Sequence, residues 1–145
     1  MRVVIAAAGT GGHINPGIAI ANKIKKEEKN TEVLFIGTDY GLEKDLVPRA
    51  GFSLKTIQAH GLSKKITIEN LKNILQTIKS ISQAKKILKE FSPDIVIGTG
   101  GYICGPVVLA AKKLKIPTLL HESNAFPRIS CKKTSNKSRY SISSF

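Results

Sequence analysis

Short apolar runs and segments of helical periodicity alternate along this chain. Val3–Ala8, Glu32–Gly37, Ser53–Gln58, Asp94–Gly98 and Thr118–His121 read as strands, rich in β-branched and other apolar residues. Between them, Pro16–Glu27, Gly41–Arg49, Ile68–Glu90 and Pro106–Leu114 carry apolar residues at the spacing of one helix face. Strands that are apolar at nearly every position are buried on both faces, and alternating helices supply the cover. Pro93 and Pro117 stand just before strands, where a missing N–H costs no ladder bond. The pattern predicts an α/β fold, a doubly wound parallel sheet, with no internal repeat.

That fold gives the glycines a place. The first strand runs into Gly9-Thr-Gly-Gly-His13, and the fourth into Gly98-Thr-Gly-Gly-Tyr-Ile-Cys-Gly-Pro106. In strand order 3-2-1-4-5, strands one and four are neighbours where the winding reverses. Ligands bind outside the carboxyl ends of strands at that point. A turn from strand through glycines into a helix gathers backbone N–H groups and the positive end of a helix dipole, which suits a phosphate. Pro16 fits the first helical turn, and His13 at the mouth of the turn adds a proton acceptor. The turn after the fifth strand, His121-Glu-Ser-Asn-Ala125, falls on the same rim. One glycine turn alone is also explained by tight backbone geometry. Three polar or titratable turns on one rim point to a phosphorylated ligand.

A dinucleotide fingerprint fits poorly. It requires G-x-G-x-x-G, whereas Gly9-Thr-Gly11-Gly-His-Ile14 lacks the last glycine and inserts a histidine. Asp39 is only approximately where the ribose-binding acid belongs.

The length of 145 residues suits one domain with a real core. No stretch approaches the roughly 20 apolar residues of a membrane span, and no signal peptide is visible. Cys104 and Cys131 make no disulfide framework, so a reducing cytoplasm is expected. The net charge of +13 points to a polyanionic partner, and it is concentrated. Lys64–Glu90 holds seven lysines against two glutamates, and Arg128–Phe145 holds five basic residues and no acid. Nucleic acid is not the expected partner, because the basic segments lack interleaved aromatics and a recognition module.

Gly9-Thr-Gly-Gly-His13 with Pro16, Gly100-Gly-Tyr-Ile-Cys-Gly-Pro106 and His121-Glu-Ser-Asn124 resemble, in that order, the N-terminal domain of the MurG family. These bacterial enzymes transfer N-acetylglucosamine to undecaprenyl-diphosphate-linked muramyl-pentapeptide, converting lipid I to lipid II in peptidoglycan synthesis. Ile36-Gly-Thr38, Gly41-Leu-Glu-Lys44 and Pro93-Asp94 through Gly98 agree, and the resemblance extends from Met1 to about Pro127. It implies the Rossmann-like N-terminal domain of a GT-B glycosyltransferase, with inverting, metal-independent chemistry and no cofactor. The expected partners are UDP-N-acetylglucosamine, the lipid-linked acceptor and an anionic membrane surface.

Carried onto this chain, the resemblance places Thr10, Gly11, Gly12 and Asn124 against UDP-N-acetylglucosamine. Gly100, Gly101 and Tyr102 would line the acceptor diphosphate pocket, and Glu122 would orient a sugar or His13. His13 is the candidate base or acceptor-positioning group, with a structural tether to a neighbouring loop as its rival role. Ser123 stands where the family often has glutamine. In the basic segment, Leu71, Lys72, Leu75, Ile78, Lys79 and Ile81 are expected to touch the cytoplasmic face of the membrane peripherally. The plainer alternative is an amphipathic helix packed on the sheet with its lysines in water.

After Pro127 the family pattern of a glycine and an apolar helix is replaced by a Ser/Lys-rich tail, residues 128–145. The tail reads as aberrant and disordered, as from a frameshift or truncation. The expected organisation is an acceptor-side domain over residues 1–127, without the donor-binding C-terminal domain and inactive alone. The alternative is a membrane-associated subunit of a split glycosyltransferase, whose nucleotide-binding half is a separate chain.

Overall fold

A computed structural model describes residues 1–59, 69–122 and 140–143, with side chains described over 1–59 and 76–121. The elements are β1 (Arg2–Ala7), α1 (Gly11–Glu27), β2 (Glu32–Gly37), α2 (Glu43–Arg49), β3 (Ser53–Thr56), α3 (Glu69–Phe91), β4 (Ile95–Gly100), α4 (Cys104–Lys113), β5 (Thr118–Glu122) and β6 (Tyr140–Ser143). The sheet order is β3-β2-β1-β4-β5-β6, and every pairing is parallel. The predicted doubly wound order is therefore present over the first five strands.

The continuous apolar strands are sandwiched between two helix layers. Along β1, Val4 and Ala6 join Ala84 and Leu88 of α3 and Val107 and Ala111 of α4 on one face. Val3, Ile5 and Ala7 face the other side, with Ile14 and Ala21 of α1 and Val47 of α2. A period of two along β1 thus feeds two separate cores, which is why no polar position interrupts it.

Three differences from the sequence pattern bear on function. First, α1 begins at Gly11 and not at Pro16, so Gly11, Gly12 and His13 form its first turn and Pro16 lies inside the helix. Glycine weakens a helix interior, but the first turn lacks i→i−4 bonds in any case, so the penalty falls where it matters least. Second, β4 continues through Thr99 to Gly100. Its register with β1 shifts there: Ala6 pairs with Gly98 and Ala7 with Gly100, leaving Thr99 as the extra residue of a bulge. Third, Tyr140–Ser143 pairs with β5 as a sixth strand, within the tail expected to be without order. An edge strand offers unpaired N–H and C=O groups to any extended segment, so such pairing needs no hydrophobic pattern to announce it. The remainder of the tail lies outside the described residues.

Candidate functional site

The carboxyl ends of β1 and β4 bring the two glycine turns into direct contact. Gly101 lies on the backbone of Ala8: a Cβ there would sit 2.4 Å from the Ala8 carbonyl oxygen, at a φ of +85°. Gly100, at φ +122°, lies under the His13 ring, and a Cβ there would fall 2.2 Å from Nδ1. Only glycine combines such a φ with so close an approach. The Thr99 hydroxyl, turned inward by the bulge, donates to the His13 carbonyl at 2.7 Å. Tyr102 brings its ring beside Gly9. The turns expected to face each other across a crevice thus form one continuous packed rim.

His13 is accordingly not at the mouth of the turn. Its residue is 6% exposed, packed on Gly100 and tethered through Thr99. The physical reason is the early start of α1, which places His13 on the helix face that carries Ile14, Gly17 and Ala21 into the core. Thr10 precedes the helix in extended conformation and caps it through its carbonyl, which accepts from the His13 and Ile14 amides at 3.0 and 3.1 Å. Thr10 is exposed and Gly12 also lies at the surface, while Gly11 is partly covered. These three therefore present the accessible backbone of the rim.

A second centre lies between the ends of β1 and β2, and motif reading missed its role. Glu43, at the start of α2, is fully buried and accepts from the Gly9 amide and from the amide and hydroxyl of Thr38. Burial disfavours its charge. The Thr38 hydroxyl and the Gly9, Glu43 and Thr38 amides outweigh that cost and hold the carboxyl below its ordinary range. The available signal was an acid framed by glycines, Gly37-Thr-Asp-Tyr-Gly41-Leu-Glu43. It also changes the phosphate cradle, because the Gly9 amide is committed to Glu43.

Tyr40 and Tyr102 stack on this rim, with ring centroids 6.5 Å apart and planes within 6°. The Tyr40 residue is 54% exposed, but its hydroxyl is turned inward and donates to the Ala59 carbonyl. Withdrawal of the phenol from water raises its pKa above the usual tyrosine value, reinforced by Tyr102, Glu43 and Asp39. Cys104 opens α4 under the rim, its Sγ 3.2 Å from the Ala6 carbonyl oxygen and 3.1 Å from that of Gly100. Among the described residues, no three His, Cys, Asp or Glu side chains gather as a metal-binding set.

Glu122 ends β5 on the same rim, but its side chain, like all of Asn124, lies outside the described residues. The same holds for the side chains of Leu71, Lys72 and Leu75 on α3. Ile78 is 58% exposed and Lys79 is exposed. Ile81, three residues beyond Ile78, is half-buried and packs against the core cluster that holds Ala84 and Leu88. Among the described residues, no helix is long and apolar enough to cross a membrane.

The comparisons with known proteins agree with this layout. The family described as glycosyltransferase family 28 N-terminal domain matches residues 3–141. The UDP-N-acetylglucosamine–N-acetylmuramyl-(pentapeptide) pyrophosphoryl-undecaprenol N-acetylglucosamine transferase of Lactococcus lactis subsp. cremoris is 54% identical over 129 residues, covering 89% of this chain. Its counterpart in Acetivibrio thermocellus is 52% identical over 132 residues, covering 91% of this chain. This chain spans only 36% of the length of either relative. The crystal structure of Acinetobacter baumannii MurG superposes with a TM-score of 0.86 at 28% identity, over 99% of this chain and 41% of that one. A UDP-GlcNAc 2-epimerase from Methanocaldococcus jannaschii shares the fold at a TM-score of 0.70 and 22% identity, over 97% of this chain and 39% of that one. With its two glycine turns joined at the β1–β4 switch point, the chain belongs to glycosyltransferase family 28, as the N-terminal domain of that family.

Proposed function

We propose that this chain is the acceptor-side part of an inverting N-acetylglucosaminyltransferase. It would act on the undecaprenyl-diphosphate-linked muramyl-pentapeptide and use UDP-N-acetylglucosamine as donor. The observation that carries this reading is the 54% identity over 129 residues to a relative bearing that activity in its name. In the reaction, the acceptor hydroxyl oxygen bonds to the anomeric carbon while the bond to UDP breaks. UDP leaves with the electron pair, and the hydroxyl proton passes to a base. Such a step needs the hydroxyl held in line and the diphosphate charge compensated.

The rim supports a division of labour. Thr10, Gly11 and Gly12, with Asn124, would meet the donor from this side of the cleft. Gly100, Gly101 and Tyr102 would meet the acceptor diphosphate, with Glu122 orienting a sugar. His13 would serve the acceptor hydroxyl, and its burial against Gly100 favours positioning over proton exchange with solvent. The exposed Ile78 and Lys79, continued by Leu71, Lys72 and Leu75 along α3, would rest on the anionic cytoplasmic face of the membrane. This chain matches 36% of that relative's length, and the donor side of the cleft would belong to the part it does not match.

Transfer from UDP-N-acetylglucosamine to the lipid-linked acceptor tests the reading. The expected result is no turnover by the 145-residue chain alone, and transfer when residues 1–127 are joined to the C-terminal domain of the Lactococcus lactis relative. A joined protein that is folded yet inactive would overturn it.

A further inference from the structure

The geometry points to Glu43 as the positioning residue of the β1–α1 turn. Its carboxylate joins the carboxyl ends of β1 and β2 and holds the Gly9–Thr10 turn from which α1 and His13 start. The juxtaposition stands on its own; its consequence for transfer rests on the function proposed above.

The site around Glu43 is built for a carboxylate. One oxygen accepts from the Thr38 amide at 2.8 Å and the Thr38 hydroxyl at 2.6 Å, and the other from the Gly9 amide at 3.0 Å. The Thr38 hydroxyl in turn accepts from the Gly41 amide at 3.2 Å. Two glycines make the room: a Cβ at Gly41 would lie 2.2 Å from the carboxylate, and one at Gly37 would lie 2.5 Å from the Glu43 Cγ. The ion pairs among the described residues do not include Glu43. A fully buried charge held by neutral donors is costly unless each donor is aimed at it, so the donors and the acid must move together. The titratable groups beside this cluster include Tyr40, which interacts with Tyr102 of the β4–α4 turn and then with Glu43 and with Asp39 of its own loop.

This arrangement commits the Gly9 amide to Glu43. Turning that amide toward Glu43 sets the direction of the next peptide, and with it the exposed Thr10 carbonyl cap and the first turn of α1. A glutamine at 43 would replace one acceptor oxygen by an NH2 group, which must face either Gly9 or Thr38 donor to donor. The local loss would exceed the change in size, since the two side chains have nearly the same shape.

Amide hydrogen exchange of the 145-residue chain tests the assignment. In Glu43→Gln, the Gly9 and Thr38 amides are expected to exchange at least ~10-fold faster, with Ile5 and Val96 changed less than ~3-fold. Equal acceleration at all four, or an unchanged Gly9, would overturn the assignment. If the variant does not fold, titration of the native chain decides. The Gly9 and Thr38 amide shifts should follow the Glu43 carboxyl through one midpoint below the ordinary range, and a Gly9 shift indifferent to that carboxyl would refute it. In the joined transferase, Glu43→Gln should lower kcat about 10- to 100-fold and raise KM for UDP-N-acetylglucosamine, whose contacts start from the turn it holds, with KM for the lipid-linked acceptor changed less than ~3-fold. Thr38→Ser, which keeps the hydroxyl donor, should stay near native kcat while Thr38→Val should not. An unchanged kcat in Glu43→Gln sinks the positioning role. A joined protein inactive without any substitution counts against the transferase reading instead, and exchange and titration then settle Glu43.

Discussion

Gly100 has its Cβ position occupied by a neighbour, the Nδ1 side of the His13 ring, and its φ of +122° lies where other residues are strained. Gly100→Ala should therefore combine a backbone penalty with displacement of the imidazole, costing about 2–4 kcal/mol in urea unfolding. The two causes separate in a double-mutant cycle. In a His13→Ala background the ring is gone, so the added cost of Gly100→Ala should fall by about 1 kcal/mol or more. Strict additivity would mean that the ring moves aside freely. The same contact shows why motif reading found His13 but misplaced it. A histidine after a glycine pair is visible in the chain, whereas its burial depends on residues nearly ninety positions away.

Among the elements, α3 shows most clearly where periodicity stops being informative. Apolar residues recur along it at helical spacing, yet Ile78 is exposed while Ile81, Ala84 and Leu88 face the sheet. The helix is further held by the Ser80 hydroxyl, which donates to the Gln58 carbonyl, and by Gln83, whose oxygen accepts from the Gln58 amide at 2.9 Å. Leu88→Ala should thus cost about 2–5 kcal/mol, the range for a buried leucine whose cavity only partly closes. Ile78→Ser should stay within about 0.5 kcal/mol of native in the same denaturation experiment. A large loss at Ile78 would mean that it is covered. The start of α1 is the converse case. Glycines and Pro16 argue locally for a late start, but Ile14 and Gly17 on the sheet side pull the first turn into the helix.

For the molecule as a whole, charge and pH enter together. A net +13 sets the chain against itself and toward anionic surfaces, and acid adds to that charge as carboxylates are lost. Glu43 titrates lower in the folded state than in the unfolded chain, so its contribution is present above the ordinary carboxyl pKa. That contribution is lost as pH falls through the folded value. Thermal unfolding should show stability dropping below about pH 4.3, with Glu43→Gln less stable at neutral pH and flatter across the acid range. A variant with the native acid slope would assign that slope to other carboxylates.

Strand and helix alternation was legible in the chain, because it rests on hydrophobic periodicity within a few residues, and the parallel, doubly wound order followed from that alternation through the rules for crossover connections. The two glycine turns of the rim were legible as local departures from that periodicity. Burial of His13, the Thr99 bulge, the split between Ile78 and Ile81 and the Glu43 cluster were not. Each depends on which strand end meets which, and contacts between positions tens of residues apart arise only when the sheet brings those ends together.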